Sequence, residues 1–116
     1  MRAAISTLLL ASVTLLAGAA TSKPKSSPTL AVIDAAQRKV VAILNDPESA
    51  RFRDVGISPS TKAVCGFVNA KNAYGGYPGF KRFIVTEAMT KIEGTDAAAM
   101  DYRWLELCDD SVPSKP

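Results

Sequence analysis

Lys62-Ala63-Val64-Cys65-Gly66-Phe67-Val68-Asn69, Lys71-Asn72-Ala73-Tyr74-Gly75-Gly76-Tyr77-Pro78-Gly79 and Phe80-Lys81-Arg82-Phe83-Ile84-Val85-Thr86-Glu87 follow one another and decide the fold. In the first run Val64 and Val68 fall on one side, Cys65 and Phe67 on the other, which is the alternation of a strand. In the third, Phe83 and Val85 share a face of a second strand. Three Gly and one Pro among the nine residues between them forbid regular structure, so that segment is a loop. Met89 to Ile92 reads as a third strand, ended by Glu93-Gly94.

Toward the N-terminus, Ile33, Ala36, Val40 and Leu44 recur at helical steps, and the spacing predicts a helix from Pro28 to Asn45. Ser27 is its N-cap and Pro28 its first-turn proline. Pro47 excludes the α region for Asp46, which stops the helix there. Asp46-Pro47-Glu48-Ser49 then resembles a fresh cap opening a short helical turn through Phe52. Toward the C-terminus, residues 97–108 admit two readings. As a strand, Tyr102, Trp104 and Glu106 alternate with Arg103, Leu105 and Leu107. As a helix, Asp96 caps an Ala97-Ala98-Ala99 start, and Met100, Trp104, Leu107 and Cys108 share one stripe; the alanines and the stripe favour this reading. The expected fold is α+β: an N-terminal helix, a small antiparallel sheet, a C-terminal helix and one disulfide.

The disulfide follows from compartment. Met1-Arg2 precedes an apolar run that ends near Leu16, and Ala17-Gly18-Ala19 places small residues where signal peptidase cuts. The run is too short to span a bilayer, so residues 1–19 are expected to be a cleaved signal peptide, leaving no membrane span. No Cys closes the run, which argues against a lipid anchor. Export puts Cys65 and Cys108, the only two cysteines, in an oxidising periplasmic or extracellular compartment, where an even count reads as a bond. Residues 20–28, rich in Pro, Ser and Lys, form a flexible lead-in. A single domain is expected over 29–110, and residues 111–116 form a tail with nothing to bury.

Several chemistries are excluded. The 116 residues contain no His, so no His-dependent triad, general base or metal site exists. Two cysteines without His make a poor metal set, and no Cys-x-x-Cys lowers a thiol pKa. We therefore expect no metal, no cofactor and no catalytic residue. The net charge is +3, and loss of Arg2 with the leader leaves +2. That near-neutral balance argues against a nucleic-acid partner.

Asp46-Pro47-Glu48-Ser49-Ala50-Arg51-Phe52, Val64-Cys65-Gly66-Phe67-Val68-Asn69-Ala70-Lys71-Asn72 and Gly75-Gly76-Tyr77-Pro78-Gly79-Phe80 stand in order at close spacing. This resembles a family of small exported proteins of Gram-negative bacteria with D-P-x-S-A-x-F, V-C-G-x-V-N-A-K-N and G-G-Y-x-G-F motifs. The match covers residues 46–83 best. The residue after Cys65-Gly66, often polar or acidic in that family, is Phe67 here. The resemblance implies export and a shared fold; it implies no activity.

The candidate binding residues are Asn69, Lys71, Asn72, Tyr74, Tyr77, Lys81 and Arg82. Tyr gives large contact area at small entropic cost, and Asn gives adaptable hydrogen bonds. The competing reading is a structural loop, with both Tyr rings folded over the sheet edge and Lys81-Arg82 a solvated strand end. The glycines match neither nucleotide-binding pattern. The composition points to a non-catalytic periplasmic or secreted interaction protein (an inhibitor, an immunity-type protein or an envelope accessory) whose partner is another protein. The alternatives are a small hydrolase using carboxylate or hydroxyl chemistry, and a structural envelope protein that self-associates.

Overall fold

A computed structural model of the chain describes residues 18, 27–108 and 112. Apart from Gly18, the expected leader lies outside these residues, as do most of the lead-in and of the tail. The elements are α1 (Pro28–Val41), a 3₁₀ turn (Pro47–Ser49), β1 (Arg51–Ile57), β2 (Val64–Asn69), β3 (Lys81–Val85), β4 (Thr90–Ile92) and α2 (Ala97–Leu107). The fold is α+β, as expected. The four strands form an antiparallel sheet in sequential order.

The two faces of β2 and β3 carry two cores. Val64, Val68, Phe83 and Val85 meet Ala36 and Val40 of α1. Cys65, Phe67 and Ile84 meet Met100 and Trp104 of α2, together with Cys108. The sheet is thus a middle layer between two helices, and β2 reads as a near-continuous apolar run because both faces are covered. Phe67 lies 5.8 Å from Trp104 between ring centroids, and Phe52 meets Phe83 edge-on at 5.6 Å. Fully burying such side chains contributes roughly 1.5–3 kcal/mol each.

Local chemistry sets the helix ends. Ser27 Oγ accepts from Leu30 N at 3.2 Å, with Pro28 in the first turn. Asp96 Oδ1 accepts from Ala99 N at 3.1 Å, and residues 97–107 are helix. α1 ends at Val41 rather than Asn45, because the chain tightens into 3₁₀-type bonds, Ile43 N to Val40 O and Leu44 N to Val41 O.

Two sequence expectations are corrected around Pro47. The Asp46 side chain caps nothing; instead Ser49 Oγ donates back to Asp46 O at 2.7 Å. Phe52 belongs to β1, a strand the helical-turn reading missed. The alternation in β1 is broken at Asp54, where φ is +51° and the register with β2 shifts between Arg53 and Gly56. This bulge brings Phe52, Val55 and Ile57 to the α1 side at unequal steps, which hides the period of two. A third correction concerns Val112. Placed in the tail by its sequence, it is only 4 % exposed and packs on Gly56 within the α2-side core.

The bulge also explains Gly66. A Cβ there would lie 2.9 Å from Val55 Cγ2, 3.0 Å from Val55 Cα and 3.1 Å from Phe83 Cε1. Because one of these neighbours is backbone, it has little room to yield. Gly66→Ala is expected to destabilise the domain by about 2 kcal/mol through overpacking. Thermal unfolding should show a melting temperature lower by about 10 °C; an unchanged value would mean that Val55 is not held against β2.

Cys65 and Cys108 are bonded, with Cα atoms 5.9 Å apart, joining the start of β2 to the end of α2. Beside them Thr61 Oγ1 donates to Leu107 O at 2.5 Å and so caps the helix from the β1–β2 hairpin.

Candidate functional site

The antiparallel order brings the start of β1, the end of β2 and the start of β3 to one end of the sheet. The Gly-rich loop closes this end. Its shape comes from one residue: Asn72 Oδ1 accepts from Tyr74 N at 3.0 Å and Gly76 N at 3.1 Å, while Asn72 N donates to Gly76 O and Gly75 N to Asn72 O. Gly75 sits at φ +79°, a conformation that costs glycine nothing. Asn69 Oδ1 accepts from Gly79 N at 3.2 Å and fixes the return of the chain.

The loop is anchored on the 3₁₀ turn. Lys71 N donates to Ser49 Oγ at 2.8 Å, and the Tyr77 hydroxyl donates to Ser49 O at 3.1 Å. The Arg51 guanidinium lies over the Tyr77 ring at 4.5 Å, with Lys71 Nζ 6.0 Å from the same ring. Arg53 lies over Phe80 at 4.2 Å. The three sequence motifs, separate along the chain, therefore form one contact unit centred on Ser49 and Tyr77.

Within that unit the two tyrosines differ. Tyr77 is 37 % exposed, its hydroxyl spent on backbone and its face covered by Arg51. Tyr74 is 97 % exposed. Its backbone is pinned while its ring touches solvent only, so the loop holds an aromatic side chain outward on a fixed base. Asn69 and Asn72 are architectural, because their side-chain oxygens serve the loop's own amides. Lys71 and Lys81 are exposed at this end.

Arg82 does not belong to the site. The period of the strand turns it under α2, where it is 7 % exposed. Its guanidinium holds Glu93 through Nε–Oε2 at 3.1 Å and Nη2–Oε1 at 2.9 Å, reaches Asp101 Oδ1 at 2.6 Å, and lies 5.8 Å from the Trp104 ring. It is neither a solvated strand end nor a free cation. The Arg82 hydrogen bond holds the Glu93 carboxyl below its ordinary range, the direction opposite to that of a general acid. The Arg82 guanidinium is raised, chiefly by the same bond.

Arg51 is a site residue absent from the candidates drawn from the sequence. Its role depends on the pairing Arg51↔Asn69, which exists only once β1 is recognised as a strand.

At the opposite end of the sheet a groove of about 1070 Å³ runs between α1 and the hairpin tips, past Val32, Ala35, Ile57, Ser58 and Val85. Among the described residues Glu87 is the only carboxylate along it. Among the described residues no group of His, Cys, Asp and Glu is placed to hold a metal ion, and no helix is long and apolar enough to cross a membrane.

No protein-family profile, curated protein or solved structure matches the chain. Fold and site define a small disulfide-linked α+β domain with an anchored aromatic loop, and the family resemblance rests on the three motifs alone.

Proposed function

We propose that the chain is exported, loses its leader near residue 19, and acts in the periplasm or outside the cell as a non-catalytic interaction protein. In this reading it is an inhibitor, an immunity-type protein or an accessory of an envelope assembly, and it grips another protein through the loop end. The disulfide suits an oxidising compartment. The motif resemblance supports export. The single observation that carries the binding reading is Tyr74, almost wholly exposed on a loop whose backbone its neighbours fix. A large aromatic side chain costs solvation when left in water, and a pre-ordered base lowers the entropic cost of association.

The test compares mature, oxidised protein with Tyr74→Ala as bait for envelope proteins, followed by affinity measurement on any species captured. Tyr74→Ala is expected to weaken binding by about 2 kcal/mol, roughly thirtyfold in Kd, with no change in melting temperature. Equal capture by both baits would remove Tyr74 from the interface. Tyr77→Ala behaves differently in this account: it removes the contacts to Ser49 and Arg51 and loosens the loop itself.

A further inference from the structure

Residues 55–86 contain no Asp or Glu, although Lys62, Lys71, Lys81 and Arg82 fall within them. Glu93, Asp96, Asp101 and Glu106 gather instead on and before α2. Arg82 is committed to Glu93 and Asp101. Arg51 and Lys71 have no carboxylate within ion-pair distance among the described residues, and both lie at the Tyr77 ring. An aromatic face orients a guanidinium without using its N–H edge, which stays free to take a carboxylate in the two-point manner. Arg53 is held in the same way over Phe80, and its single carboxylate contact among the described residues, Asp54 at 3.5 Å, is half-exposed on both sides and easily displaced.

Arg51 and Arg53 are two residues apart on β1 and share a face, about 7 Å apart along the strand. β1 is an edge strand, and no described strand pairs with its outer side. Carboxylates on alternate residues of an extended chain repeat at the same spacing. Resting on the reading that the loop end binds a protein, we infer that the partner contributes an extended acidic segment. It lies along the first residues of β1 with alternate carboxylates on Arg51 and Arg53, and Lys71 and Tyr74 contact its flank. The bulge at Asp54 ends the free edge, which limits the added strand to a few residues and leaves side-chain charge to supply the selectivity.

The probe is a labelled heptapeptide of alternating Glu and Thr, titrated with full oxidised protein by fluorescence anisotropy. The comparison ligands are the same peptide with Gln for Glu and a single-stranded DNA oligomer of equal charge. The Glu peptide is expected to bind at least tenfold tighter than the Gln peptide, more tightly than the DNA, and several-fold more weakly as ionic strength rises. Arg51→Gln is expected to weaken it about tenfold, Arg51→Lys to fall between, and Lys39→Gln on α1 to leave it unchanged. Equal binding of the Glu and Gln peptides, indifference to Arg51→Gln, or DNA binding as tight as the peptide overturns the inference. If the peptide fails while Tyr74→Ala still weakens partner capture, the acidic segment is refuted and the loop-tip reading stands. Failure of both removes the binding reading itself.

Discussion

Reduction of the Cys65–Cys108 bond is expected to lower the melting temperature by about 20 °C, the largest effect of any single change considered. The bond spans a sequence separation of 43 residues, and closing a loop of that size in the unfolded chain contributes roughly 4 kcal/mol. In a domain near 100 residues each kcal/mol moves the midpoint by about 4–8 °C. Position adds to length. Both cysteines are fully buried, and the bond fixes the end of α2, whose Trp104 packs on Phe67 of the sheet. Without it α2 is held by Met100, Trp104 and the Thr61 bond to Leu107. Loss of helix signal should accompany the drop. Calorimetry of oxidised protein against Cys65→Ala/Cys108→Ala checks the expectation, and a shift under about 5 °C would show that packing alone secures α2.

Arg82→Ala is expected to cost about 3 kcal/mol, because it leaves the Glu93 carboxylate without its partner at a largely covered site. The Arg82 side chain is 9 % exposed and that of Glu93 22 %, whereas Asp101 at 63 % is screened by water and contributes little. The double variant Arg82→Met/Glu93→Gln is expected to recover most of the loss, since it removes the stranded charge and keeps the volume beside Trp104. The same pair gives a pH dependence of definite sign. Glu93 has a folded-state value below its ordinary 4.5, so its contribution is complete above that pH. It is lost as pH falls through the lowered value. Denaturant midpoints measured between pH 7 and pH 3 should fall at the acid end in the wild type and fall less in Glu93→Gln. Parallel curves would assign the acid sensitivity to other carboxylates.

Much of this fold was legible in the sequence because most elements obey one local rule. Ser27-Pro28 and Asp96 are caps whose side chains reach the expected amides, and the stripe Met100, Trp104, Cys108 is the buried face of α2. β2 and β3 were legible from the opposed sets Val64, Val68 and Cys65, Phe67. β1 was not, because Arg51, Arg53 and Asp54 suit an exposed edge and the bulge breaks the alternation. The site suffered from the same gap. The loop residues were visible by composition, but the division of labour between Tyr74 and Tyr77 depends on Ser49 and Arg51, which reach the loop only across β1–β2 pairing. Arg82 illustrates the converse: adjacent to Lys81 in sequence, it points to the opposite face, and only the position of α2 shows what it meets.

In the proposed function the loop end is the surface a partner touches. Photo-crosslinking in the intact envelope tests this most directly, with a photoreactive side chain at Ala73, beside Tyr74 and exposed, or at the exposed control positions Ala31 on α1 and Ala98 on α2. A discrete heavier product is expected from position 73 and from neither position 31 nor position 98. Products from either helix position, with none from the loop, would contradict the proposed function.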